Sequence, residues 1–401
     1  MIEAPGAESA SRCARCGFCN VVCPVFRELG VESGGPRGRI SLATALADGE
    51  LPRSERLEQL VYDCLLCQTC ISACPNGVRT DQIVMAARSR LGEDNRNHRL
   101  TDVVLRHVAS TPRRLQLLAL LGAAYQRSGT RSAARRLLPA HLTEKEALLP
   151  PVSVRTLQSR VPAVVPASGQ RVARVGYFPG CLNNLVYTRI GRATVRALST
   201  HGCEVVFPRS LSCCGMPQRA YGHLDVAREL AARNVDAFLK AGVEVVLTDC
   251  ATCGSSLSEY PELLQKRLPF RVHDVAQFLV DTLGLSSSSS TFVGKVTYHD
   301  PCHLVRGQGV RTQPRILLQR IPGLELVEMA ESDVCCGGAG SFSLTRFELS
   351  MQILDRKVAN ILATGAQVVA TGCPSCITQI AYGLKRRGSA VRVVHPVELL
   401  S

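Results

Sequence analysis

The sequence predicts a mixed fold, α/β with a large α-helical part: a helical, cysteine-rich N-terminal domain followed by an α/β module present twice. Three observations predict it. Eight of the 19 cysteines stand in two tight groups before residue 95. The stretch from about 96 to 145 has no cysteine and is dominated by Leu, Ala and Arg, the composition of helices. Beyond residue 170, β-branched runs alternate with helical stretches such as 223–240 and 344–363, and the cysteines recur in two matching sets. The expected domains are therefore 1–95, a connector and Pro-rich linker over 96–170, a first module over 171–285 and a second over 291–401.

Bulk properties narrow the chemistry. A chain of 401 residues exceeds one ordinary core, and 46% apolar content suffices for several. The opening MIEAPGAESA has neither a basic start nor an apolar run, so a cytoplasmic location is expected. Thiols stay reduced there, and 19 cysteines read as metal or redox chemistry rather than a disulfide framework. The longest apolar stretch, Leu115 to Tyr125, is 11 residues and is broken by Gln116 and Gly122, where a membrane span needs about 20. The formal charge of +14 suits an anionic membrane face or an acidic protein. Nucleic acid is not an expected partner: aromatics are 4%, with no Trp, and no nucleic-acid fold signature is present.

The first chemical motif is Cys13-x2-Cys16-x2-Cys19-x3-Cys23-Pro24, and the second is Cys64-x2-Cys67-x2-Cys70-x3-Cys74-Pro75. Three cysteines at this spacing wrap one loop around a cubane, and the fourth, followed by proline, reaches the other cluster of a two-cluster ferredoxin. Cys13, Cys16, Cys19 and Cys74 are thus assigned to one 4Fe–4S cluster, and Cys64, Cys67, Cys70 and Cys23 to the other. Zinc also favours Cys-x2-Cys pairs, but two complete copies of the longer pattern fit it poorly. Residues 38–62 between the motifs have Leu42, Leu46, Leu57, Leu60 and Val61 on apolar helical positions, which indicates a helical ferredoxin domain.

The second half is an internal duplication. Cys181, Cys213–Cys214 and Cys250-x2-Cys253 form one set; Cys302, Cys335–Cys336 and Cys373-x2-Cys376 form the other, offset by 121, 122 and 123 residues. The flanks repeat as well: RVGYFPGC with KVTYHDPC, and GVEVVLTDCATC with GAQVVATGCPSC. Each cysteine follows a strand-like run, where open parallel sheets hold ligands. Neighbouring cysteines before Gly215 and Gly337 suit a multinuclear site. Further iron–sulfur clusters, zinc or inert packing are the readings open for these ten thiols. Cys203 belongs to neither set and is expected in a core. The five-serine run 286–290 marks the junction between the copies.

His299 and His303 flank Cys302, and His273 and His395 are read as equivalent places in the two repeats; any of the four suits a hydrogen bond to a cluster or a proton relay, His273 and His395 equally well the start of a helix, and none is assigned as a ligand. GGPRGRI (34–40) lacks the Gly-Lys-Ser/Thr ending of a phosphate loop and reads as a tight turn entering a helix. No nicotinamide or flavin fingerprint is present, so a partner must supply the organic cofactor.

This order of segments, with CARCGFCNVVCPVF, GGPRGRI, CLLCQTCISACPNGVR and CCGGAGSF as its signatures, resembles the iron–sulfur subunit family of glycolate oxidase along essentially the whole chain. The resemblance implies an electron-transfer subunit beside FAD-carrying subunits that oxidise glycolate to glyoxylate, with electrons passing towards a quinone at the membrane. It also implies that the eight N-terminal cysteines hold the two cubanes and that no residue of this chain is itself catalytic. The complete pairs Cys250/Cys253 and Cys373/Cys376 depart from that family and look more like heterodisulfide reductases, whose five-cysteine sets hold noncubane clusters. Lactate-utilisation and anaerobic glycerol-3-phosphate dehydrogenase subunits share the modules too. A lactate dehydrogenase subunit and a heterodisulfide-reductase-like enzyme are accordingly the alternative readings.

Overall fold

The computed structural model describes residues 7–92, 99–285 and 290–400. The expected junctions at 95/96 and in most of the serine run lie outside the described residues. The N-terminal part is helical, and its helices pack around Ile40, Leu57, Val61, Val78, Val84 and Leu91. Pro36 opens the helix Pro36–Ala47, where its missing N–H costs nothing. The helix Glu55–Tyr62 begins at Ser54, whose Oγ accepts from Leu57 N at 3.2 Å, and Glu55 and Glu58 complement its dipole. Residues 48–54 separate the two, so the stretch expected to be helical is two helices and not one. GGPRGRI does turn into a helix. The turn is tight enough that a Cβ on Gly38 would lie 2.2 Å from Glu32 O.

Among the described residues the second half carries two sheets. The first runs in the order β1-β3-β2-β4-β5, with β1 Val164–Val165, β2 Ala173–Tyr177, β3 Cys203–Val206, β4 Val245–Thr248 and β5 Arg271–Asp274. The second runs β7-β6-β8-β9, with β6 Gly294–Tyr298, β7 Leu324–Leu326, β8 Val368–Ala370 and β9 Arg392–Val394. All pairings are parallel except β1 with β3, and the two sheets repeat one topology. The central strands β2, β4, β6 and β8 are short runs buried on both faces towards their carboxyl ends, as a parallel sheet covered by helices requires, while the edge strands β1, β5, β7 and β9 are partly exposed. In each copy the chain leaves the first strand in one direction and returns on its other side. The carboxyl ends of β2/β4 and of β6/β8 are therefore switch points.

The Pro-rich stretch is anchored. Leu148, Leu157 and Val161 enter the core of the modules, and β1 extends the first sheet as its antiparallel edge. Leu157 is fully buried against Gly191, where a Cβ would lie 2.3 Å from its methyl carbon. That core is continuous between the two copies. Ala251 N donates to Gly372 O at 3.0 Å, and Tyr187 and Thr378 hydroxyls meet at 2.8 Å across the seam. Register pairs Leu247 with His273 and Ala370 with Val394, so the structural counterpart of His395 is Asp274. His395 does begin a helix, Pro396–Leu399, with a full capping box; His273 stands one residue too early, and Asp274 caps the next helix instead.

Leu157→Ala is expected to destabilise the protein by about 2–5 kcal/mol. The check is the midpoint of thermal unfolding against Leu239→Ala, a half-exposed helix position expected to move it little.

Candidate metal centres

The two N-terminal cysteine loops have the same backbone shape. Arg15 and Leu66 adopt φ of 55° and 53°, and Gly17 and Gln68 follow at 87° and 61°, each pair at matching positions of its loop. Left-handed backbone at Arg15, Leu66 and Gln68 is uncommon for residues with side chains, and it curls each loop around a hollow. Cys13, Cys16, Cys19 and Cys74 line one hollow; Cys23, Cys64 and Cys67 line the other, and Cys70 borders both. The fourth cysteine of each motif thus reaches the opposite group. Backbone amides of Phe26, Leu66 and Val78 donate to the sulfurs of Cys23, Cys64 and Cys74, each at 3.4 Å.

Burial pushes the Cys67 thiol up to about 12, and burial together with Cys13 raises that of Cys19. Four thiols facing one another in so dry a place ionise only if cations meet them. The donor set therefore fits iron. The buried Arg39 borders the second hollow, donates from Nε to Leu60 O at 2.7 Å and pulls the Cys23 thiol down against burial. The first hollow lies near the surface. Cys16 is exposed, as are Phe18 and Val21 beside it.

The ten module cysteines line a single cavity of about 230 Å³ between the modules and the N-terminal domain. Their side chains form one contiguous run. Cys181 meets Cys213, Cys214 meets Cys253, Cys250 meets Cys373 across the seam, Cys376 meets Cys336, and Cys335 meets Cys302. Hydrogen bonds from adjacent cysteines hold Cys214, Cys336 and Cys373 well below the ordinary thiol value. The turn glycines Gly215 and Gly337 take φ of 84° and 81°, and a Cβ on Gly337 would meet Ser350 O at 2.7 Å. Cys250 and Cys373 stand at the N-termini of the helices Ala251–Ser258 and Pro374–Arg386, whose dipoles favour thiolate. Cys203 is in the hydrophobic core, away from this cavity.

The second N-terminal hollow abuts this cavity. Cys23 and Cys67 pack in one cluster with Cys335 and Cys302, and Cys67 feels the charge of Cys302. Polar links hold the parts together, three of them at the cysteine loops or the cavity. The His303 ring donates from Nε2 to Leu66 O at 3.0 Å, while its Nδ1 lies 3.3 Å from Thr252 Oγ1. The Arg346 guanidinium donates to Asp63 at 2.7 Å. Buried Arg88 gives Nη2 to Cys64 O at 2.6 Å and Nη1 to Ala220 O at 2.7 Å, with Tyr62 under its guanidinium. Arg88 and Asp249 carry no sequence signal of this role. Asp249, beside Cys250, is raised to about 6 by burial and accepts from Tyr177 at 2.5 Å, Asn183 and Thr194 at 2.7 Å.

Comparison with known proteins follows the same segments. The family model described as 4Fe-4S dicluster domain matches residues 9–78, and Cysteine-rich domain matches 175–258 and 296–381. Glycolate oxidase iron-sulfur subunit, linker region, matches 97–149. The probable glycolate oxidase iron-sulfur subunit of Bacillus subtilis (strain 168) is 35% identical over 97% of this chain and 92% of its own length. The chain belongs to the glycolate oxidase iron–sulfur subunit family. Within this family setting, lactate utilization protein A of Oceanobacillus iheyensis is 34% identical over 57% of this chain and 96% of its own. A fumarate reductase (CoM/CoB) subunit of Methanothermobacter marburgensis is 37% identical over 57% of this chain and 46% of its own. Iron–sulfur clusters are therefore the cofactors of this family member.

Cys74→Ser is expected to remove the cluster at Cys13, Cys16 and Cys19 while leaving that of the second loop; Cys23→Ser is expected to do the reverse. Each should cost about four irons per chain, and the two variants should lose different paramagnetic signals on reduction.

Proposed function

We propose that this chain carries electrons from a FAD subunit that oxidises a 2-hydroxy acid, foremost glycolate to glyoxylate, towards a quinone-type acceptor. The observation that supports this most is the uninterrupted succession of thiols, from exposed Cys16 through buried Cys23 and Cys67 to Cys302 and the run ending at Cys181. Iron–sulfur clusters exchange single electrons at potentials set by charge, burial and hydrogen bonds to sulfur. In this reading Cys13, Cys16, Cys19 and Cys74 hold one cubane, and Cys64, Cys67, Cys70 and Cys23 hold the other. The ten module cysteines hold further iron–sulfur centres. The protein's own part is to keep the thiols fixed, dry and close, and to offset their charge with Arg39 and Arg88.

Residues 1–95 serve as the ferredoxin domain, 96–170 as connector, and 171–285 and 291–401 as the two modules. Exposed Phe18 and Val21 beside the outermost thiols are the proposed port for the FAD subunit. Among the described residues no helix is long and apolar enough to cross a membrane. The helix Pro112–Arg127 exposes Leu117, Leu118 and Leu121 next to Arg113 and Arg114, which suits peripheral attachment to an anionic cytoplasmic face.

A second reading draws on one observation: both complete five-cysteine sets face the same cavity. There a disulfide substrate would be cleaved at the module centres, as in a heterodisulfide reductase.

The complex of this chain with its flavin partner, kept anaerobic, decides between them. Glycolate is expected to bleach the visible absorbance of the clusters, and a soluble quinone analogue to restore it. Lactate bleaching in place of glycolate would move the substrate to the lactate alternative. Restoration by a disulfide and not by the quinone would transfer the assignment to the second reading.

A further inference from the structure

The two modules are copies, yet they differ at the residue that follows the first strand of each. After β2, Tyr177 is followed by Phe178; after β6, Tyr298 is followed by His299. Both residues are 0% exposed. An imidazole in a place built for a phenyl ring loses its hydration, and a buried polar group is tolerated only when something satisfies it.

One of its nitrogens is accounted for. His299 Nδ1 lies 3.0 Å from Ser332 O, and a carbonyl can only accept, so Nδ1 carries the proton. In a neutral ring the lone pair is then on Nε2. The main chain is held as well, His299 N donating to Ala370 O at 2.9 Å, and the bond from Nδ1 to Ser332 O orients the ring. Nε2 is buried with no nitrogen or oxygen partner; its neighbours are sulfurs, and the ring helps to hold the Cys336 thiol down. It lies with the sulfurs of Cys336 and Cys376 in a group whose ligand atoms are all within 4.8 Å of one another. Metal-bound thiolates have no S–H to give to a lone pair. A ring nitrogen aimed at them either donates a proton of its own to a thiolate or bonds the metal they share, and the metal is the partner open to a neutral ring. Its other nitrogen, bonded to a backbone carbonyl, is oriented as ligating histidines commonly are.

We propose that His299 Nε2 is an iron ligand of the second-module centre, beside Cys336 and Cys376. That centre is then a mixed nitrogen–thiolate site, whereas the first module, with Phe178 in this place, is all-thiolate. The inference rests on the reading that the module thiols hold iron. Its consequence is that the two module centres differ in kind: both keep five cysteines, and only the second, which adjoins Cys67 through Cys302, gains a neutral nitrogen donor.

The test is pulsed electron paramagnetic resonance on the anaerobic, reduced full chain, prepared with natural and with 15N-labelled histidine. The expected result is a strong nitrogen coupling that changes with the label, survives His303→Gln and is lost in His299→Phe. His303 is the informative control because it lies at the same cavity, with Nε2 bonded to Leu66 O and Nδ1 beside Thr252. His299→Cys supplies a second variant that keeps a ligand but makes it anionic. It should retain the wild-type iron content and shift one midpoint potential to a more negative value. Iron present in the modules with no label-dependent coupling in the wild type overturns the assignment of His299, whatever the variants do. Modules without iron overturn the reading beneath it and the inference with it.

Discussion

Ten cysteine side chains facing one small cavity are the constraint to which the rest of the structure answers. Thiolates crowded in a low-dielectric space repel one another and lose their hydration. They are stable there only if cations are shared among them and the surrounding dipoles are positive. Iron would meet the first condition, and the fold supplies the second together with a buried cation nearby. Cys250 and Cys373 stand at helix N-termini, and Arg88 is buried at the border with the N-terminal domain. The switch point of a parallel sheet is what brings three separate loops to one spot, and duplication brings two such spots edge to edge at Cys250 and Cys373.

The N-terminal domain is held against that cavity by polar contacts that double as supports for a cysteine loop. His303 bonds the carbonyl of Leu66, whose left-handed backbone shapes the second loop. Arg88 ties the carbonyl of Cys64 to that of Ala220, at the end of the short helix after the first cysteine pair. The geometry of the second loop and its placement against the modules therefore depend on the same residues. A surface hollow at Cys16 is followed by a buried one at Cys67, which Cys302 joins to the module cavity, most of whose cysteines are buried. Depth sets both solvent access and potential, the properties an electron relay must grade.

What could be read from the sequence was what depends on short-range covalent geometry or on repetition. The spacing of Cys13 to Cys23 and of Cys64 to Cys74 dictates how a loop wraps. The offsets between the module sets reveal the duplication before any contact is known. The fold class followed from the same repetition. Contacts between distant segments were not legible, because a lone Arg88 in a helix, or Asp249 after a strand, has no periodic mark. His299 stood out next to Cys302, but whether its ring meets a carbonyl, solvent or a metal depends on where residues 332, 336 and 376 fold back. The near-equivalence of His273 and His395 misled by one residue. In a strand such a slip turns a side chain to the other face, and Asp274 is the true counterpart.

The central claim is that module thiols continue the path begun by the two ferredoxin loops. Iron, acid-labile sulfide and zinc per chain, measured on anaerobically purified protein, test it most directly. The account predicts iron and sulfide in equal amounts and clearly above the eight or so expected of two cubanes, approaching about sixteen if each module holds four irons. About eight irons with zinc filling the modules would contradict it.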